Sequence, residues 1–151
     1  MKAPKHPAVL VESRVGRKGV PAVRSFEAWV RAALHGRRAE IGVQLMGVRA
    51  ARALNRRYRG RDYATNVLSF PYERPPGGNT GLLGDLVLCP AVIAREAREQ
   101  GKPLRHHFAH LTVHGVLHLL GYDHGTAREA ARMEAREVRI LASFGIPDPY
   151  A

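Results

Sequence analysis

The succession of apolar and polar positions predicts strands mixed with helices in the first half of the chain and helices alone in the second. Pro7 to Glu12 reads as a short strand. Ser25 has the chemistry of an N-cap. Behind it Phe26, Trp29, Val30, Ala33 and Leu34 recur on one helical face through His35, with Gly36 as the stop. Glu40 to Met46 alternates Ile41, Val43 and Leu45 on one side, the period of a half-buried strand. Val48 to Tyr58 is an arginine-laden helix, and Thr65 to Tyr72 an extended strand ended by Pro71. A Gly/Pro-rich loop over 74–81 leads to a strand from Leu82 to Cys89, stopped by Pro90. Three helices follow: Ala91 to Gln100, His106 to Leu120 and Ala127 to Phe144. Thr126 and Glu129 have capping-box spacing at the start of the last. The chain has no internal repeat. This order predicts an α+β fold: a single domain over 1–151 with one mixed four-stranded sheet covered by about five to six helices.

Composition narrows the class. A chain of 151 residues is ordinary for one domain and buries roughly 68–70% of its unfolded surface, so it needs no staples. With 45% hydrophobic and 25% charged residues it is not a disordered sequence. Cys89 is the only cysteine, which excludes intramolecular disulfides and multi-cysteine metal sites and leaves it as a small core residue. The apolar run Ala8 to Val11 is too short for a signal peptide, and the longest later run, near Leu111 to Leu120, is broken by His114 and His118. These features predict a cytoplasmic protein without a membrane partner.

The net charge of +11 is lopsided. Residues 1 to 61 hold 15 Lys+Arg and three acids, a net of +12, and the other 90 hold nine bases and ten acids, a net of −1. The excess peaks at Arg49, Arg52, Arg56, Arg57, Arg59 and Arg61. Two readings stand: a solvated arginine face, or a surface whose guanidinium groups displace counterions from a polyanion.

The chemistry concentrates near His114. Six of the eight histidines (106, 107, 110, 114, 118 and 124) fall within nineteen residues. His106, His110, His114 and His118 are four apart, so neighbours share a helix face and an adjacent pair can chelate one cation. Three successive ones cannot, because eight residues of helix rise about 12 Å while a Zn–N bond is about 2.0–2.1 Å. Gly121 can end the helix in a left-handed turn that swings His124 back, so His114, His118 and His124 are a candidate three-nitrogen site for one divalent metal, zinc first, the other reading of histidines four apart being packing or surface. Three imidazoles leave a fourth position open, the catalytic rather than the structural pattern. Such a metal lowers the pKa of water toward about 7. The zinc-protease motif H-E-x-x-H needs Glu after its first histidine, and here that residue is Gly115. His106 and His107 read as surface residues, and His110 as either core or support for a metal ligand.

The run from His114 to His124 (HGVLHLLGYDH) resembles the YbeY family of bacterial rRNA maturation endoribonucleases. So do Leu54 to Gly60 (LNRRYRG), Thr65 to Pro71 (TNVLSFP), Leu83 to Asp85 and the ending Asp148 to Tyr150. The resemblance is specific from about Leu54 onward and loose before it. It implies that His114, His118 and His124 hold a zinc-like metal and that Arg59 is the basic residue needed for activity. It further implies a single-strand-directed RNase in 16S rRNA 3′-end maturation and ribosome quality control. The implied partners are rRNA, the small ribosomal subunit and other assembly factors. Many family members carry Asp where this chain has Asn66, which leaves the role of that position open.

Other residues have two readings each. Arg59 can face the negative charge that develops on a phosphodiester, or be one arginine of six; Arg56, Arg57 and Arg61 are candidate RNA contacts. Asp85 sits in an apolar strand, where it either anchors the second nitrogen of a ligand histidine or caps a turn after Gly84. Glu134 lies on the Ala127, Ala131, Val138 face of the last helix, a candidate partly buried partner, and Asp123 reads as a turn former. Three functions compete: a metal-dependent endoribonuclease, a non-catalytic RNA- or ribosome-binding factor with a structural metal, and a metallohydrolase of another substrate such as a peptide.

Overall fold

The structure, a computed structural model, describes residues 9–72 and 82–151. Its elements are β1 (Val9–Ser13), α1 (Val23–Leu34), β2 (Glu40–Leu45), α2 (Val48–Arg59), β3 (Val67–Pro71), β4 (Leu82–Leu88), α3 (Pro90–Gln100), α4 (Leu104–Leu119) and α5 (Ala127–Ala142). Pro7, Ala8 and the loop expected over 74–81 lie outside the described residues. The sheet order is β1-β2-β4-β3. β1 and β2, and β2 and β4, run parallel, while β3 and β4 are antiparallel. The sheet is therefore mixed, and the domain is the expected α+β type, with five helices among the described residues.

Strand alternation gives the sheet two different faces. Ile41, Val43, Leu45, Leu86 and Leu88 point to one side and join a single core with Phe26, Trp29, Leu34, Phe108, Val113, Leu117 and Leu141. α4 runs through the middle of this core, touching α1, α3, α5, β3 and β4. A helix so enclosed must be apolar on nearly every side, and Phe108, Leu111, Val113, Val116, Leu117 and Leu119 are all buried. It also lies so close to the sheet that a Cβ on Gly115 would stand 2.7 Å from Leu86 Cδ2, and one on Gly84 2.7 Å from Leu119 Cδ2. The Ser69 hydroxyl donates to the Gly115 carbonyl at 3.1 Å, pinning β3 to α4. α2 packs on the opposite side, through Ala51 with Cys89 and Val92 and through Tyr58 on Phe70.

One helix start differs from expectation, and another is capped as expected but for half of its capping box. α1 begins at Val23 after Ala22, which makes no side-chain cap. Ser25 is instead buried within the helix, where its hydroxyl accepts from Arg105 at 2.8 Å, so a tertiary contact took the residue whose chemistry suggests a cap. At α5 Thr126 does cap, accepting from the Glu129 N–H at 3.1 Å. Glu129 returns only to the Thr126 hydroxyl, also at 3.1 Å, and not to its backbone.

Candidate metal centre and its groove

The end of α4 builds the site. Gly121 adopts φ +100°, and its N–H donates to the His118 carbonyl while Tyr122 N–H donates to Leu117, both at 3.0 Å. This paired closure is a Schellman motif, in which the left-handed residue favours glycine. Tyr122 tucks against the core and reverses the chain, and Asp123 accepts from the His124 N–H at 2.7 Å to hold the turn. The reversal returns His124 to the helix end. Ring centroids lie 5.1 Å apart for His114–His118, 4.9 Å for His118–His124 and 5.8 Å for His114–His124. One ring nitrogen from each lies within 4.8 Å of the others, a spacing that one cation can draw together.

The chemistry of the donors fits a metal. Burial pushes the His118 imidazole below its usual pKa, helped by the adjacent His114 and His124, so it favours the neutral, lone-pair form that a cation requires. His114 Nδ1 lies 2.5 Å from Glu137 Oε1, and a carboxylate there accepts, so Nδ1 carries a proton and Nε2 is the nitrogen left for a cation. Glu137 is fully buried on α5. Burial pushes its carboxyl up, but hydrogen bonds from His110, His114 and Tyr150 outweigh this and bring it to about 2. His110, His114 and Glu137 form a second group able to hold a cation. Its carboxylate oxygens are already taken by His114 and the Tyr150 hydroxyl, and it lies behind the open triad rather than in solvent.

The triad opens on a groove of about 610 Å³ whose walls include Tyr58, Arg59, Asn66, Ser69, Phe70 and Asp123. Arg59, in the last turn of α2, thus shares the groove with His114, His118 and His124. Arg56 and Arg57 line a separate hollow with Arg49, Arg52 and Asp62, and Arg61 is exposed beyond the helix end. Asp62 engages Arg52 through two hydrogen bonds of 2.8 and 3.0 Å. The outward arginines therefore form a surface next to the site and not a wall of it.

Several candidates fall elsewhere. Asp85 is a register partner of Gly42 and Phe70, on the sheet face opposite the one bearing Leu86 and α4. It lies against Gly42 and helps raise the Tyr72 hydroxyl to about 12 through a hydrogen bond. It is therefore not the anchor of a ligand histidine, because strand alternation turns it away. Glu134 is exposed, since the buried stripe of α5 is Met133, Glu137, Ile140 and Leu141 rather than the Ala131, Val138 face. Glu137 was detectable in sequence as the acid interrupting that larger-residue stripe. His110 sits behind the site, 3.2 Å from the Tyr150 hydroxyl and 3.5 Å from Glu137 Oε2. His107 is not a surface residue: it is buried and meets Glu96 at 2.9 Å. The Asn66 amide donates to the same carboxylate at 3.0 and 3.3 Å.

The position after His114 also has a structural explanation. Gly115 faces the sheet, so a side chain there would run at once into Leu86 and the Ser69 hydroxyl. The usual base of H-E-x-x-H peptidases has no place in this arrangement.

Comparison with known proteins agrees with the motifs. A family model described as "Endoribonuclease YbeY" matches residues 17–145. The chain is 55% identical over 149 residues to an Endoribonuclease YbeY of Stenotrophomonas maltophilia, covering 95% of this chain and 92% of that protein. It is 54% identical over 156 residues to the Xanthomonas oryzae protein of the same name, covering 99% and 97%. A solution structure from Thermotoga maritima superposes with a TM-score of 0.55 at 24% identity, over 91% of this chain and 90% of that one, which speaks to the fold alone. With a family model over residues 17–145 and relatives 54–55% identical over most of both chains, the chain belongs to the Endoribonuclease YbeY family.

Proposed function

We propose that this protein is a metal-dependent endoribonuclease, with zinc as the metal, that cuts single-stranded RNA in the cytoplasm. Its work in this reading is 16S rRNA 3′-end maturation and ribosome quality control, on the small ribosomal subunit and beside other assembly factors. The observation that carries the reading is a shared groove: three clustered imidazoles and the Arg59 guanidinium line the same walls.

The residues divide the labour. His114, His118 and His124 would hold a divalent cation, which supplies Lewis acidity and lowers the pKa of a water toward about 7. Glu137 keeps the proton of His114 on Nδ1 and so orients the ring. Arg59 offers a planar, permanently charged fork to phosphate oxygens as negative charge grows on them. Asp123 is the carboxylate in that groove among the described residues. Its Oδ1 is engaged by the His124 N–H, which leaves Oδ2 to take a proton. Arg56, Arg57 and Arg61 grip the RNA backbone outside the groove.

The deciding experiment compares wild type, Arg59→Ala and His124→Ala for RNA cleavage, metal content and thermal stability. Arg59→Ala should lose cleavage while retaining metal and fold, and His124→Ala should lose both metal and cleavage. Full cleavage in both purified variants would overturn the hydrolytic reading and leave an RNA-binding factor.

A further inference from the structure

We infer that Tyr58, braced by Phe70, is a stacking site for one unpaired nucleobase beside the phosphodiester handled in the histidine groove. The inference deepens the ribonuclease reading and rests on it. Tyr58 is 61% exposed, although it lies on a helix whose other outward positions are mostly arginine. Its ring does not wander over that surface. It meets the Phe70 ring at a centroid distance of 4.9 Å and an interplanar angle of 66°, an edge contact that fixes one aromatic by another. Both rings line the groove that contains the three histidines, and Arg59 follows Tyr58 directly in sequence.

This arrangement matches the two halves of a nucleotide. The guanidinium and the imidazole cluster provide for the anionic phosphate and are indifferent to what base it carries. The aromatic wall provides for a flat π-surface, and every base has one, so the contact tolerates any sequence. Phe70 lies on β3, an edge strand of the sheet among the described residues, where an extended chain can run alongside. A base inside a duplex has both faces covered by its neighbours and cannot reach a side wall without being unstacked. Preference for single strands would then come from Tyr58 and Phe70, while Arg59 would hold either form.

The test uses the full chain and a short single-stranded RNA carrying 2-aminopurine at successive positions. Wild type should quench the probe most strongly at one position. Tyr58→Ala should lose that quench and bind roughly 5- to 100-fold more weakly, as expected for the loss of one base stack. Tyr58→Phe should retain both, since the ring and not the hydroxyl is used. An abasic site at the quenched position should make wild type and Tyr58→Ala bind equally, and a duplex of the same length should not distinguish them at all. Equal quench and affinity for wild type and a folded Tyr58→Ala would overturn the stacking site alone. A wild-type protein that neither binds nor cuts the RNA would instead overturn the ribonuclease reading beneath it.

Discussion

Glu137 on α5 and His114 on α4 meet at 2.5 Å, Oε1 to Nδ1, across the core of the domain. The other carboxylate oxygen takes the Tyr150 hydroxyl, and Lys102 holds the same terminal segment by donating to the Pro149 carbonyl at 3.1 Å. A candidate metal ligand is therefore wired through a buried acid to the end of the chain. Removing the acid leaves the ring free to turn and its proton free to change nitrogen.

Glu137→Ala should weaken metal binding by about 10- to 100-fold, the usual effect of losing a carboxylate behind a ligand histidine. Competition against a chromophoric chelator measures it. Glu134→Ala, on the exposed face of the same helix, should bind metal as wild type does. Equal affinity in all three proteins would refute the positioning role of Glu137.

Gly115→Glu should fail to restore a peptidase-type base and should destabilise the fold by about 3 kcal/mol or more, through overpacking and a buried carboxylate. The cause is the 2.7 Å approach of a Cβ at this position to Leu86. Thermal melts followed by circular dichroism would show it, and a melting temperature equal to wild type would contradict the packing argument.

Asn66→Asp exchanges an amide donor for a second carboxylate about 3 Å from Glu96. Two carboxylates this close repel once both are ionised, so the variant should lose stability relative to wild type as pH rises through the carboxylate range. Its melting temperature relative to wild type should fall between about pH 4 and pH 7 by an amount worth about 1 kcal/mol. A constant difference over that range would show that the two side chains do not interact. The experiment bears on the departure from Asp at this position.

His107 should make stability depend on pH in the opposite sense. Burial lowers its pKa below 6.5, against the pull of Glu96. The folded protein then binds fewer protons than the unfolded chain, so this contribution is complete above about pH 6.5 and is lost as pH falls toward the folded pKa. Urea unfolding between pH 7.5 and pH 5.5 should give a slope that His107→Gln reduces. His118 shifts in the same direction and would supply the remainder.

The sequence by itself determined the element order, the mixed sheet expected of it and the three histidines, because period, turn chemistry and spacing act over a few residues. The Gly121 reversal is such a local device: its left-handed backbone and the His118 and Leu117 carbonyls it closes on lie within a few residues of each other. Tertiary structure alone decided which face of each element is buried, and with it the partners of the site. Asp85 turned away from the histidines because the neighbouring Leu86 took the core side of β4. Glu137, not Glu134, went inside because Met133, Ile140 and Leu141 carry more apolar surface than the alanines opposite. Arg59 was separated from Arg56 and Arg57 by its place on the α2 cylinder relative to β3. These choices depend on residues far apart in the chain, and short-range pattern carries no information about them until the sheet and helices have packed.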